Sequence, residues 1–339
     1  MNHKQIVKHA IAHRHTDYVP YYMKFQPSVL VKLQLYFHTS NLESVIGSYL
    51  SSFRVRHASD FSVPVLPGKM YYDEFGCLWQ GTDEDVGQVK GHPLKEPSLK
   101  NYIFPDGSDP DRVAGLNESI SKYHDNYFYV SIENHTLLER AFNLRGTQEF
   151  LMDIYDHPNF VSELLDQILD YDLKLARQLL NFDIDAIRIN DDWGDQRGIF
   201  IGIDNWRKLI KPRISTLCEF IRSRSNTHIM LHSDGNISDI LPDIIDMGID
   251  AIDPTQPEAM DIYALKKKYG RHITFIGGMS TQRTMPFGSP ADVREEVQTL
   301  VHKLGHDGGY ILSPGIIVQK DVPMQNILAF IEICKILNA

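Results

Sequence analysis

Two short motifs hold residue types that can do chemistry. They are His232-Ser233-Asp234-Gly235 and, upstream, Asn190-Asp191-Asp192-Trp193-Gly194. His232 and Asp234 are two apart at the end of an apolar run, so on a strand both side chains point the same way and can converge on one metal ion. Imidazole and carboxylate are both competent zinc ligands. A plain His–Asp hydrogen bond without metal is the simpler alternative. Asp191 and Asp192 are adjacent and face opposite ways, so one of them can act as a further ligand or a general base. A helix N-cap or a salt bridge to Arg188 or Arg197 is the plainer alternative. Glu133 ends a third run, as a fourth ligand, a substrate contact or the cap of a helix starting near Thr136. Asp253 and Gln256 follow a later run and can meet polar groups of a substrate. Tyr22 and Trp193, with Tyr21 and Phe25, suit aromatic walls around a flat or apolar ligand, or ordinary packing.

Such residues need strands to carry them. Eight short apolar or β-branched runs are expected as strands: Tyr18–Phe25, Arg54–Phe61, Tyr127–Ile132, Ala186–Asn190, His228–His232, Asp250–Ile252, Ile273–Gly277 and Tyr310–Ser313. Helical patterns lie between the later ones. Leu164, Ile168, Tyr171, Leu175 and Leu179 form one stripe. Ser289-Pro290 opens another helix, with Val293, Val297, Leu300 and Leu304 inward and Gly305 at its end. The alternation predicts an α/β fold, a single (β/α)8 TIM barrel over residues 1–339, with its chemistry at the C-terminal ends of the strands. A doubly wound open sheet is the alternative, and no G-x-G-x-x-G supports it. Residues 62–125, rich in Pro and Gly, predict a long lid-like insertion after the second strand, with a small hairpin near Tyr71–Gln80.

Composition narrows the partners. The net charge of −10 over 339 residues argues against nucleic acid or an anionic membrane surface, because phosphate contacts need a basic face. Cys77, Cys218 and Cys334 are far apart and form no C-x-x-C pair, which suggests a reducing, cytoplasmic setting. No secretory signal or membrane-length apolar run is visible.

The chain resembles the uroporphyrinogen decarboxylase (URO-D) superfamily, which includes decarboxylases of haem synthesis and zinc-dependent, corrinoid-linked methyltransferases. The residues that carry the likeness are Leu138-Glu139-Arg140-Ala141 to Leu144-Arg145-Gly146, Asp191 to Gln196, and His232 to Gly235. Further blocks are Gly248-Ile249-Asp250, Asp253 to Glu258, Phe275 to Gln282, Gly308 to Leu312 and Val322 to Ile327. The resemblance implies a (β/α)8 barrel. It also implies an arginine-rich segment in true decarboxylases where this chain reads Tyr22-Met23-Lys24-Phe25-Gln26, leaving Lys24 as the cation there and Asp60 as the match to the catalytic aspartate. In the zinc methyltransferases it implies a His-x-Cys pair and a distant cysteine, where this chain has His232-x-Asp234 and Ile316. Carboxylate in place of thiolate makes the site harder and favours oxygen-binding metals.

The reading favoured is an enzyme of the methyltransferase-like branch. It would act on a small methylated compound or on a methyl group carried by the corrinoid of a partner protein, with zinc or another divalent metal. A metal-free decarboxylase and a barrel that only binds a ligand are the alternatives. A homodimer is expected by analogy.

Overall fold

The computed structural model describes residues 1–55, 68–82, 87–131 and 135–338. Seven parallel strands form one sheet in chain order: β1 (Leu50–Arg54), β5 (Tyr127–Ser131), β6 (Ala186–Asn190), β7 (His228–His232), β8 (Ala251–Thr255), β9 (Thr274–Met279) and β10 (Tyr310–Pro314). Three shorter strands, β2 (Met70–Tyr72), β3 (Leu78–Gln80) and β4 (Gln88–Gly91), make a separate antiparallel sheet. A curled parallel sheet with a helix between successive strands is consistent with a TIM-like barrel. No described helix is long and apolar enough to cross a membrane.

Two of the eight expected strands are corrected. Tyr18–Phe25 is not a strand. Its backbone makes isolated parallel bridges, Tyr21 to Leu312 and Phe25 to Val318. The Tyr22 N–H donates to Leu312 O, and the Tyr49 N–H donates to Tyr21 O. The segment therefore lies between the two edge strands of the sheet. Pro20 has no N–H to give, and Pro27 already opens the helix Pro27–Tyr36, so a continuous ladder cannot form. The second expected strand is displaced. β1 ends at Arg54, where Arg54–Phe61 was to begin, and it pairs residue for residue with β5 from Leu50↔Tyr127 to Arg54↔Ser131. Sequence alternation alone does not fix where a run of Tyr, Leu, Ser and Phe starts to pair.

The segment between β1 and β5 holds the small sheet. The expected hairpin is present as β2–β3, and β4 adds a third strand to it. Asp73 and Glu74, in the β2–β3 turn, fasten it to the helices around the sheet. The Arg112 guanidinium donates to both Glu74 oxygens, at 2.8 and 2.5 Å, and to the Tyr171 hydroxyl at 2.8 Å. Arg140 pairs with Asp73 at 3.2 Å and lies 3.9 Å above the Phe75 ring.

The helix Pro158–Leu179 buries the stripe Leu164, Ile168, Tyr171, Leu175 and Leu179. The helix Pro290–Leu304 has the Ser289 capping box, buries Val293, Val297, Leu300 and Leu304, and ends at Gly305. At the opposite end of the sheet from the motif loops, the helix His3–Ile11 lays Ile6, Val7, Ala10 and Ile11 against the core, and Lys4 and Lys8 both pair with Asp185, at 2.9 and 2.8 Å. Cys77, Cys218 and Cys334 are buried and unpaired.

Candidate active site

The two motifs meet because their loops touch backbone to backbone. β6 and β7 run in register up to Asn190↔His232, and the Asp191 N–H extends the ladder to His232 O at 3.0 Å. Beyond the strands, Gly194 and Gly235 face each other. A Cβ on Gly235 would lie 2.5 Å from the Gly194 carbonyl, and Gly235 sits at φ +80°, where side chains are strained. This approach brings the Asp234 N–H to Asp192 Oδ1 at 2.8 Å.

The result is a half-buried cluster of Asp192, His232 and Asp234, with one ligand atom from each lying within 4.8 Å of the others. Two carboxylates and one imidazole form an oxygen-rich donor set that fits a divalent cation. Each donor is oriented from behind. His232 Nε2 lies 4.0 Å from Asp192 Oδ1, while His232 Nδ1 lies 3.6 Å from Asp253 Oδ2. A carboxylate behind a ligating imidazole fixes its tautomer and ring direction. Gln256 donates to Asp234 Oδ1 at 3.1 Å and accepts the Gly235 N–H at 2.9 Å, so it holds Asp234 by side chain and by backbone.

Beneath the cluster lies a buried polar layer facing the interior. Asp253 accepts from Arg188 at 2.7 Å and from the Tyr22 hydroxyl at 3.1 Å. Burial alone would push the Asp253 carboxyl up, but the nearby His232 and Arg188 hold it well below the usual carboxylate range. Burial, and then the Asp253 charge, push the Tyr22 phenol up. The Lys24 ammonium lies 4.9 Å from the Tyr129 ring centroid, and the Arg188 guanidinium lies 5.3 Å from it.

Asp191 goes elsewhere. It is fully buried, and its carboxylate accepts the Leu138 and Glu139 N–H groups at 3.0 and 2.9 Å, so it caps the helix Leu137–Arg145 from another loop. The Trp193 indole N–H donates to it at 2.6 Å, and Trp193 packs edge-on against Trp206. Trp193 therefore has no exposed face toward the cluster. Burial raises the Asp191 carboxyl to about 7 against these three donors. Asp192, Asp234, His232, Tyr22, Lys24, Asp253 and Gln256 are brought together. Asp60 and Glu133 lie outside the described residues.

Four contributors were not among the sequence candidates. Glu139 accepts the Asp192 N–H at 3.2 Å, and burial, then Asp192 and Asp191, push its carboxyl well up. Its signal was an acid in the first turn of the helix after β5. His135, 3.9 Å from Glu139, stacks on Trp79 of β3 and so links the small sheet to the site. Arg188 and Tyr129 are polar residues at inward positions of otherwise apolar strands, and period-two alternation exposes both.

A family model described as uroporphyrinogen decarboxylase (URO-D) matches residues 138–337. No curated protein sequence matches the chain. Among solved structures, a methyltransferase from Methanosarcina mazei is similar over 100% of both chains, with 18% identity and a TM-score of 0.73. A putative vitamin-B12 independent methionine synthase from Listeria monocytogenes has 10% identity and a TM-score of 0.45, over 96% of this chain and 98% of that one. A beta-glucosidase from Pyrococcus furiosus has 10% identity and a TM-score of 0.46, over 91% and 85%.

Proposed function

We propose that this chain, which belongs to the uroporphyrinogen decarboxylase family, is a methyltransferase-like enzyme whose site is the Asp192–His232–Asp234 cluster. The donor would be a small methylated compound or a corrinoid-bound methyl group. The observation that carries the reading is the convergence of three metal-competent side chains on one point, each held from behind. A divalent metal bound there would supply Lewis acidity toward an oxygen of the substrate.

The chain's own residues prepare that point. Arg188 keeps Asp253 ionised, and ionised Asp253 draws the Nδ1–H of His232 toward itself. The Nε2 lone pair is then left facing Asp192 and Asp234. Gln256 stops Asp234 from turning away. The Asp234 N–H does the same for Asp192. Tyr22 closes one side of the layer below and helps keep water from Asp253. A separate corrinoid protein would dock over the mouth, the enzyme would work in the cytoplasm, and a homodimer is the expected assembly.

Plasma mass spectrometry of purified protein tests the reading. Near-stoichiometric zinc or another divalent ion, lost in both Asp192→Ala and His232→Ala, is the expected result. Wild-type protein that takes up no metal even after incubation with zinc overturns it.

A further inference from the structure

Gln26 carries a buried amide with nothing to bind. The residue is 2% exposed, and among the described residues neither its Oε1 nor its Nε2 meets a hydrogen-bond partner. Its backbone, by contrast, is fully used. The N–H donates to Val318 O at 3.0 Å, and the carbonyl accepts from the Val29 and Leu30 N–H groups at 3.0 and 2.9 Å. Gln26 also holds the N-cap position of the helix Pro27–Tyr36, yet its side chain makes no capping bond. An amide taken out of water with both ends unpaired is costly, and folded chains leave few such groups.

The direction of the side chain follows from the phase of the segment. Tyr22, Lys24 and Gln26 all bond on the β10 side: the Tyr22 N–H to Leu312 O, Lys24 O from the Val318 N–H, and the Gln26 N–H to Val318 O. Tyr21 lies in the opposite phase. Its carbonyl accepts from the Tyr49 N–H, and its hydroxyl donates to Ile46 O, on the helix Leu42–Ile46, at 2.6 Å. Residues of one phase on an extended chain share a face. Tyr22 and Lys24 use that face to reach Asp253 and Tyr129 in the interior, so Gln26 points inward too, one step nearer the mouth. The segment lies between the edge strands β1 and β10, and it therefore faces β6 and β7, whose ends carry the Asp192–His232–Asp234 cluster.

We propose that Gln26 reads the neutral carboxamide of a small substrate whose methylated end lies at the Asp192–His232–Asp234 cluster. A glutamine side chain offers an acceptor and two N–H donors on one planar group. A carboxamide meets both ends at once. Its carbonyl accepts from Nε2, and its N–H donates to Oε1. A carboxylate or an ester only accepts, and so leaves Oε1 unpaired. The inference deepens the methyltransferase reading by naming the substrate class, and it rests on that reading for the reacting end. The amide contact itself needs no metal.

Calorimetric titration tests it, with methoxyacetamide as probe and methyl methoxyacetate and methoxyacetate as acceptor-only counterparts, on wild type, Gln26→Met and His232→Ala. A site that pairs a substrate N–H rejects analogues lacking it, so the wild type prefers the amide by about tenfold or more. Gln26→Met has similar length and no hydrogen-bonding N or O. It abolishes the preference and raises the melting temperature of the ligand-free protein, because it removes a buried amide that nothing satisfies. An amide kept for the fold, or one satisfied by bound water, would lower the melting temperature when lost. His232→Ala keeps the preference, so a failed metal site leaves the amide subsite measurable. Equal binding of the three probes by wild type, no binding of any, tighter binding of methoxyacetate than of the amide, an amide preference that survives Gln26→Met, or a lower melting temperature of Gln26→Met would each overturn the proposal.

Discussion

Asp191 offers the sharpest division between architecture and chemistry. It stands beside Asp192 in the sequence, yet its carboxylate faces three buried donors: Leu138 N, Glu139 N and Trp193 Nε1, at 3.0, 2.9 and 2.6 Å. Asp191→Ala leaves all three without an acceptor. Orphaning a buried donor costs about 1–3 kcal/mol, and neighbouring losses do not add fully, so about 3–6 kcal/mol is expected at pH 6. That is a large share of the roughly 5–15 kcal/mol that holds a domain folded. The pH dependence has a definite sign. Burial lifts the folded carboxyl from 3.8 to about 7, so the fold favours the protonated form. This contribution is full below the unfolded value and is lost as pH rises toward about 7, at up to about 1.4 kcal/mol per unit. The cost of Asp191→Ala therefore shrinks between pH 6 and pH 8, and Asp191→Asn flattens the wild-type slope. Urea unfolding of metal-free protein at both pH values measures it. A loss below about 1 kcal/mol at pH 6 would refute the capping argument. A cost that grows with pH would show that the three donors hold the group ionised.

Three further outcomes are expected. Glu74→Ala leaves the Arg112 guanidinium buried beside Tyr171 without its carboxylate, and about 3–5 kcal/mol should be lost in urea unfolding; a change within 0.5 kcal/mol, the ordinary range for surface positions, would mean that the small sheet is not pinned by this pair. Gln256→Leu removes the support of Asp234 without touching a ligand, so zinc affinity in a chelator competition should fall about 10–100-fold, beside a loss of about 1–3 kcal/mol of stability from the orphaned Gly235 N–H; unchanged affinity would sink the orienting role. Gly235→Ala strains a left-handed residue by about 1–3 kcal/mol and forces the two motif loops apart; zinc binding retained at wild-type affinity would show that the loop approach does not build the cluster.

Much of the site was legible because strand ends and glycines are local signals. The Asp-Asp-Trp-Gly and His-Ser-Asp-Gly motifs each place an acid one or two residues before a glycine, and those glycines are where the loops touch. The two-residue spacing of His232 and Asp234 anticipated their convergence. Which of Asp191 and Asp192 faces inward was not legible, because it depends on the helix Leu137–Arg145, whose free N–H groups claim Asp191. The helices with capped starts and regular stripes were found closely, since their signals repeat every turn. The first two strands were misplaced. Pro20 and Pro27 bound a segment that reads as apolar but cannot sustain a ladder, and β1 is defined by its pairing with β5, a long-range fact. Glu139 was missed because an acid in a first helical turn is ordinary until a neighbouring loop brings Asp192 to it.

The polar residues of the interior are arranged in tiers, and the tiers have different jobs. At the end nearest the helix His3–Ile11, the Tyr127 hydroxyl meets His228 Nδ1 at 2.6 Å and the two groups satisfy each other. In the middle, Asp253 is shared by Arg188, Tyr22 and His232. At the top, Asp192, His232 and Asp234 face one another. Closed networks of the first kind stabilise a fold, whereas surplus charge costs stability. The middle tier also orients the top one, since Asp253 lies behind His232 and Gln256 holds Asp234.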